Sequence, residues 1–555
     1  MQKRRPPTLW ARLSTALVIL GVSIYRMVVA RDAVYPGHAD PAFYYQVSRN
    51  LSTGHGPDIN YIWHFLAPVH HIRHFAWDYW LPMPSLMMSI GQFFRSGLTS
   101  ALDVGIALTA VFAAGTYQLA GRLTRTWWIP PVASVTVLLL PSVSIYAMRT
   151  ESAVYLAAFS VLAISAAVGA RERAWRWPLA GALTGAAGLA RNEGLLLIAV
   201  IAVAALAWNR GWNRWIRLAT LLGGYIAVMG PYLIVSMVHI GSPLPPASQK
   251  FPFISQYDQL FSLHVKQSWS VLVSNSMWDA RGQAFLNQWH FGTEIYRLGV
   301  LVALLALIGV SFLFRRPANV PGSTGGNVVG QALRSPWLVP VGFALVVPIF
   351  ESIVTPVVAG AGSVQKSGIA LAPVLVIAAL QRSRRLPGLS AGGPQWMRNW
   401  TWLAQLAAIC GALALMIYPA LQLTDLSVAT VAGSNSLGAQ AHHLAPTLRS
   451  EQKLLGGRKL VLMTANPWDV TQTTGFPTVV VPDAPICSIL ATARRFAVTD
   501  IETRQGNRRH SDIEWLAHHG GPFTPVAGDK DFHLYRVQGW SKQWCDARNQ
   551  PGDFE

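Results

Sequence analysis

The sequence predicts an α-helical polytopic membrane protein of about eleven transmembrane helices, followed by a small α/β domain outside the membrane. Three observations predict it. Of 555 residues, 52% are apolar and only 12% charged, about half the charged fraction of a soluble globular chain. The apolar residues gather into stretches close to the roughly 20 needed to cross a hydrocarbon core. The net charge of +19 sits almost entirely in short loops between those stretches. Composition also excludes a disordered chain, a collagen-like repeat and a disulfide scaffold, since the only cysteines are Cys410, Cys487 and Cys545.

The apolar stretches in order are Leu13–Ala30, Thr99–Ala120, Trp128–Ala147, Ser152–Ala170, Leu179–Trp208, Leu218–Met237, Leu298–Phe314, Trp337–Val357, Ser367–Gln381 and Trp400–Pro419. Lys3, Arg4 and Arg5 before the first could mark a secretory signal with a weak site at Ala30. Arg26 interrupts that run and many spans follow, so the expectation is a retained first helix with the N-terminus in the cytoplasm. Leu81–Phe94 is apolar but short, with Pro82 and Pro84 at its start, and reads as an interfacial helix. Leu179–Trp208 is too long for one span and is interrupted by Arg191-Asn192-Glu193, so it divides into two short helices.

With those two decisions the cytoplasmic segments are 1–12, 121–127, 171–178, 209–217, 315–336 and 382–399. Together they carry 19 Lys/Arg against the single acid Glu172, so +18 of the +19 lies there. The basicity orients the helices and does not point to nucleic acid. Outside the membrane lie 31–98, 238–297 and the tail from 420. In the tail, Lys459–Met463, Thr478–Val481, Ala497–Ile501 and Phe532–Val537 read as strands and Ile486–Phe496 as a helix, the alternation of an α/β domain. Polar Ser434–His443 reads as the linker before it. The expected domains are therefore 1–419 in the membrane and 420–555 outside it. Cys487 and Cys545 share the oxidising side and could pair; Cys410 lies in a span.

The first outer loop is the richest in chemistry: Asp32, then Gly37-His38-Ala39-Asp40-Pro41-Ala42-Phe43-Tyr44-Tyr45, then Gly54-His55-Gly56. Asp40 has two readings, a helix N-cap before Pro41, or a general base or metal ligand at the membrane boundary. Six of the 15 His gather here (His38, His55, His64, His70, His71 and His74), without a spacing diagnostic of a metal site. Tyr61, Trp63, Trp77, Tyr79 and Trp80 suit either a sugar-stacking platform or an interfacial belt. Arg149, Glu151, Arg191, Glu193 and Lys366 fall at span ends, where each could simply snorkel. Parity places all five on the side of Asp40. A cluster of cations beside carboxylates can hold a lipid-linked phosphate and deprotonate an acceptor.

These motifs, in this order, resemble the GT-C membrane glycosyltransferases, the class of protein mannosyltransferases and aminoarabinose-lipid transferases. The likeness is carried by Asp40-Pro-Ala-Phe-Tyr-Tyr with Gly54-His-Gly56, Leu81-Pro-Met-Pro-Ser-Leu, Arg149-Thr-Glu151, Gly188-Leu-Ala-Arg191-Asn-Glu193-Gly, Gly241-Ser-Pro-Leu-Pro and Gly362-Ser-Val-Gln-Lys366-Ser-Gly-Ile-Ala-Leu-Ala-Pro373. In the tail, Met463-Thr-Ala-Asn-Pro-Trp-Asp469 and Thr474-Gly-Phe-Pro-Thr-Val-Val-Val-Pro482 look like the outer α/β domain of some bacterial members. The resemblance implies a GT-C fold, a polyprenyl-phosphate sugar donor, a lipid, glycan or protein acceptor in the cell envelope, and a bacterial plasma membrane. It implies Asp40 as the base, Glu151 as a second acid, and Lys366 and Arg191 at the donor phosphate, with Arg149, Glu193 and His38 as further substrate contacts. Many members carry two adjacent acids where this chain has Asp40-Pro41. His38 with Asp40 is the nearest substitute, which leaves open a divalent cofactor, Mg or Mn, on Asp40, His38 and Glu151. Where many members have Arg, this chain has Lys366, which keeps the charge and loses the bidentate fork.

The alternative is a transporter or flippase of lipid-linked saccharides, which should show inverted repeats and charges near the bilayer midplane. A non-catalytic scaffold with the tail as a binding module is the third reading. Charges at span ends and large one-sided outer loops favour the enzyme.

Overall fold

The computed structural model describes residues 9–296, 328–358, 363–383, 395–504, 511–519, 521–528 and 532–538. The expected span Leu298–Phe314 and Cys545 lie outside the described residues, as does Gly362.

The chain opens with α1 (Leu9–Val29), then α2 (Ala39–Ser52), α3 (Met83–Phe94) and α4 (Leu98–Leu123). Next come α5 (Ile129–Leu139), α6 (Pro141–Ala147), α7 (Ala153–Gly169), α8 (Arg176–Ala190), α9 (Glu193–Trp208) and α10 (Asn213–Ile240). After α11 (Asn275–Tyr296) follow α12 (Leu338–Ile353), α13 (Val364–Ser383) and α14 (Gln395–Leu454). Among the described residues, α1, α4 and α10 are long and apolar enough to cross a membrane, and α5 with α6 makes a fourth if the pair is one span bent by 56°. The apolar helices α7, α9, α12 and α13 are shorter, so the expectation of eleven spans leans on helices below the usual spanning length.

Leu81–Phe94 and Leu179–Trp208 take the expected forms. α3 is a 12-residue helix with Leu86, Ile90, Phe93 and Phe94 exposed along one stripe, the pattern of an interfacial helix. The 179–208 stretch breaks at Arg191 and Asn192, between α8 and α9. The linker expectation is overturned: Ser434–His443 is helical, inside the 60-residue α14 that continues the Trp400–Pro419 stretch to Leu454. Ala, Leu and Gln around the polar positions keep helix propensity high enough to carry the helix through.

Past α14 the chain forms β4 (Leu462–Thr464), α15 (Pro467–Thr474), β5 (Thr478–Val480), α16 (Ile486–Arg495), β6 (Asp500–Arg504), β7 (Phe523–Gly528) and β8 (Phe532–Val537). This sheet is not made by the tail alone. The first outer loop contributes β2 (Tyr61–Ile62), after β1 (Asp58–Ile59) and before β3 (His74–Phe75). The strand order is β2-β5-β4-β6-β8-β7, with β2, β5, β4 and β6 parallel and β8 and β7 antiparallel. Trp468 and Val480 of the tail belong to the same continuous core as the apolar helices and the first-loop aromatics.

Arg26 explains the break between α5 and α6. Pro141 has no N–H and removes a helical bond, which frees carbonyls in the preceding turn. The guanidinium of Arg26, fully buried in α1, donates to the Leu138 carbonyl at 2.8 Å, to Ser144 Oγ at 3.0 Å and to Thr109 Oγ1 at 3.2 Å. One side chain thereby ties α1 and α4 to both sides of the bend. Arg26→Ala should lower the thermal midpoint of the purified protein in detergent, through loss of buried hydrogen bonds to a charged donor at roughly 1.5–3 kcal/mol each. An unchanged midpoint would show that the bend is held by other contacts.

Candidate active site

Asp40 occupies the second position of α2, whose N-cap is His38. It is therefore not the cap residue. The preceding Ala39 adopts φ +27°, a strained value for a residue with a Cβ. Lys366, in the first turn of α13, reaches Asp40 Oδ2 at 2.5 Å and Glu151 Oε2 at 3.1 Å. Glu151 is 2% exposed and lies in the turn between α6 and α7, with Arg149 3.9 Å away. Two further bonds fix this geometry. Thr150 Oγ1 donates to the Pro41 carbonyl at 2.7 Å, which joins the Glu151 turn to α2. Tyr146 OH donates to Gln365 Oε1 at 3.2 Å, which joins α6 to the residue beside Lys366. Burial alone would raise the Asp40 carboxyl, but the Lys366 ammonium holds it below the ordinary carboxylate range.

A second ionic group adjoins the first. Arg191 follows α8 in extended conformation and donates to Glu193 Oε1 at 2.6 Å, to Ser152 Oγ at 3.3 Å and to Ser363 Oγ at 2.5 Å. Ser363 Oγ also lies 3.3 Å from Glu351 Oε1, and Ser367 Oγ donates to Glu351 Oε2 at 3.0 Å. The tight return from α8 to α9 that places Arg191 beside Glu193 needs Gly194. A Cβ there would stand 2.3 Å from the Ala187 and Gly188 backbone.

Asp40, Lys366, Arg191, Glu193 and Glu351 line one cavity of ≈360 Å³. Glu151 lies behind Lys366, Arg149 is beside Glu151, and His38 is exposed at the start of α2; none of the three lines the cavity. Of the residues named for a metal, Asp40 and Glu151 both contact the Lys366 ammonium, and His38 stands apart from the cavity. The Lys366 ammonium fills the space between the Asp40 and Glu151 carboxylates, and no three His, Cys, Asp or Glu converge to hold an ion among the described residues. Of the six first-loop histidines, His38, His55, His70 and His71 are exposed. His64 and His74 flank buried Asp78 at 3.7 and 3.5 Å.

The aromatic residues are not an interfacial belt. Tyr61, Trp63, Trp77 and Trp80 are all under 9% exposed, and Trp63, Tyr79 and Trp80 line the cavity. Glu351, Ser363 and Trp468 join the cavity without having been expected there. An acid inside the apolar stretch Trp337–Val357 is itself a signal, because ionisable groups in such stretches are costly and gather at sites. Ser363 and Trp468 carry no comparable signal.

The long helix α14 and the tail pin the segment that leads into Asp40. Asn435 Oδ1 accepts from the Val34 and Tyr35 N–H groups at 2.9 and 3.2 Å, and its Nδ2 donates to the Asp32 carbonyl at 2.8 Å. Gly438 lies against the Tyr35 ring, where a Cβ would stand 2.5 Å from ring carbon. The Tyr35 hydroxyl donates to Asp469 Oδ1 at 2.6 Å.

Burial raises the Asp469 carboxyl to about 6, so in this pH range the folded protein holds a proton that the unfolded chain releases. The resulting stabilisation is complete below the unfolded value of 3.8 and is lost as pH rises through about 6. Asp469→Asn keeps an acceptor oxygen for Tyr35 and removes the titration. Its stability should vary less between pH 4 and pH 7 than that of wild type and exceed it at pH 7 by on the order of 1–3 kcal/mol, read as a higher thermal midpoint. Parallel pH profiles for the two proteins would count against a shifted Asp469.

No protein-family model matches the chain, and no curated protein sequence matches it. Solved structures do. ArnT from Cupriavidus metallidurans bound to undecaprenyl phosphate superposes with a TM-score of 0.55 at 15% identity, over 94% of this chain and 97% of that one. The same protein in the apo state gives a TM-score of 0.53 at 14% identity, over 95% and 99% of the two chains. Along nearly its whole length the chain has the fold of ArnT, in line with the GT-C resemblance of its sequence.

Proposed function

We propose that this protein is a membrane glycosyltransferase of GT-C type, which moves a sugar from a polyprenyl-phosphate donor to an acceptor hydroxyl on the outer face of a bacterial plasma membrane. The observation that carries the reading is the Lys366 ammonium held between Asp40 and Glu151 in a cavity that Arg191 also lines. The likeness to an ArnT structure bound to undecaprenyl phosphate supports the donor class. The N-terminus lies in the cytoplasm in this reading, and the sheet formed by β2 and the tail lies outside.

The chemistry follows from the charges. The acceptor oxygen attacks the anomeric carbon and gives its proton to Asp40, while the bond from that carbon to the phosphate oxygen breaks. The polyprenyl phosphate leaves with the bonding pair, and Lys366 and Arg191 stabilise its growing charge. Direct displacement inverts the anomeric centre. Lys366 has a double use in this scheme. While it pairs with Asp40, the carboxylate is a weak base. When the donor phosphate draws the ammonium away, the proton affinity of Asp40 rises as the acceptor must be deprotonated. Glu151 remains within reach of Lys366 as a second counter-ion that limits how far the ammonium shifts. Charged groups gathered around one cavity at the ends of apolar stretches favour chemistry over a transport pathway.

Purified protein incubated with radiolabelled polyprenyl-phosphate sugars and membrane extract should transfer label, and Asp40→Asn should slow transfer by about 100-fold or more. Transfer at the wild-type rate by the variant, or from no donor by either protein, would refute the assignment. Chelator in the same assay should leave the rate unchanged, because Lys366 occupies the space between the carboxylates. A Lys366→Met variant should lose transfer to a similar degree; wild-type turnover in that variant would place the phosphate elsewhere.

A further inference from the structure

The parallel strands β2, β5, β4 and β6 end on the same edge of the outer sheet. In open parallel sheets, ligands bind in the crevice beyond the carboxyl ends of the strands. Here that edge faces the cavity that holds Asp40. β2 runs directly into Trp63, and β4 leads through Asn466 into Trp468; both indoles line the cavity. After β5, the Asp483 N–H donates to the Phe261 carbonyl at 3.1 Å, and Ser262 Oγ donates to Asp483 Oδ2 at 3.2 Å. These bonds fasten the segment that brings Leu260 to the cavity wall. The carboxyl ends of β2 and β4 therefore open onto the candidate catalytic cavity.

The wall at this edge is aromatic. Trp63 and Trp80 stack with centroids 4.2 Å apart and planes 19° apart, and Trp468 meets Trp63 edge-on at 6.4 Å. An acyl chain needs only apolar surface, which leucine or valine supplies. A phosphate needs cations, and none of these three residues carries charge. A sugar ring has an apolar C–H face for the indoles and hydroxyls for polar groups. The buried indole N–H of Trp63 makes no hydrogen bond among the described residues, a donor of the kind a hydroxyl oxygen satisfies.

We propose that the carboxyl edge of the outer sheet is a saccharide-binding roof over the cavity, and that Trp468 is the residue through which the tail contacts a sugar ring. The proposal rests on the glycosyl-transfer reading and adds to it that the tail selects the sugar. The ring can belong to the lipid-linked donor or to an acceptor glycan, since the chemistry of contact is the same.

The test uses the full-length protein in lipid nanodiscs, as wild type, Trp468→Ala and Trp468→Phe. Dissociation constants are measured for bare undecaprenyl phosphate, for undecaprenyl phosphates carrying glucose, mannose, galactose or arabinose, and for soluble methyl glycosides of the same sugars. Bare lipid should bind wild type and Trp468→Ala within twofold. At least one sugar-bearing probe should bind Trp468→Ala ten-fold or more weakly than wild type, with Trp468→Phe retaining most of the affinity. A loss confined to sugar-bearing lipid assigns the donor, and a loss confined to methyl glycosides assigns the acceptor. Equal weakening of the bare lipid would mean that Trp468 only supports the fold, and unchanged affinity for every sugar would overturn the roof. If no polyprenyl phosphate binds wild type while a glycoside still distinguishes the variants, the roof stands and the donor reading falls.

Discussion

A cation taken out of bulk water must be matched by anions or by several hydrogen-bond acceptors, because its desolvation costs several kcal/mol. Lys366 is matched twice, by Asp40 and by Glu151, and the neighbouring architecture serves that match. Its three members come from the start of α2, the turn between α6 and α7, and the first turn of α13. Thr150 and Tyr146 lock those segments to one another with bonds that bypass the ions. Further back, Arg26 holds the bend between α5 and α6 that sets where the Glu151 turn can lie. A buried cation in the first helix thus supports a buried ion triad across the fold without touching it.

Much of the membrane part was legible in the sequence because membranes impose two strong and independent signals, apolar length and the placement of Arg and Lys. The short helix α3 with its exposed apolar stripe and the break at Arg191-Asn192 follow from them. So does the sharing of one region by Asp40, Lys366, Arg191 and Glu193. The outer sheet was legible only in part. Its tail strands show as short apolar runs, but β2 is two residues long and no local pattern marks it. Ser434–His443 misled for a physical reason. Its polar residues read as a linker, yet Ser434 and Gly438 belong to a helix face that packs against Gly37 and Tyr35. The aromatics of the first loop are ambiguous in sequence, since a belt and a buried wall require the same residue types.

The tail is a structural part of the candidate site. Tyr35 reaches Asp469, Asn435 holds the backbone at Asp32, Val34 and Tyr35, and Trp468 joins the aromatic wall. These contacts surround the strained backbone at Ala39, a conformation that persists only where its surroundings over-determine it. Removing the tail would therefore loosen the approach to Asp40 as well as uncover the cavity.

The pairing of β2 with β5 has a consequence for how the chain is made. Val34 and its partner Asn435 stand 401 residues apart, and β2 is separated from β5 by a comparable length of chain. A growing polypeptide produces its N-terminal part first, and loop closure over so long a distance comes late. The segment around Asp40 is thus among the first to be synthesised and among the last to be fixed. Until α14 and the tail have emerged, Tyr35 lacks its hydrogen bonds to Asn435 and Asp469 and β2 lacks its partner strand β5. The approach to Asp40 is completed only once Asn435, Asp469 and β5 have emerged to engage it.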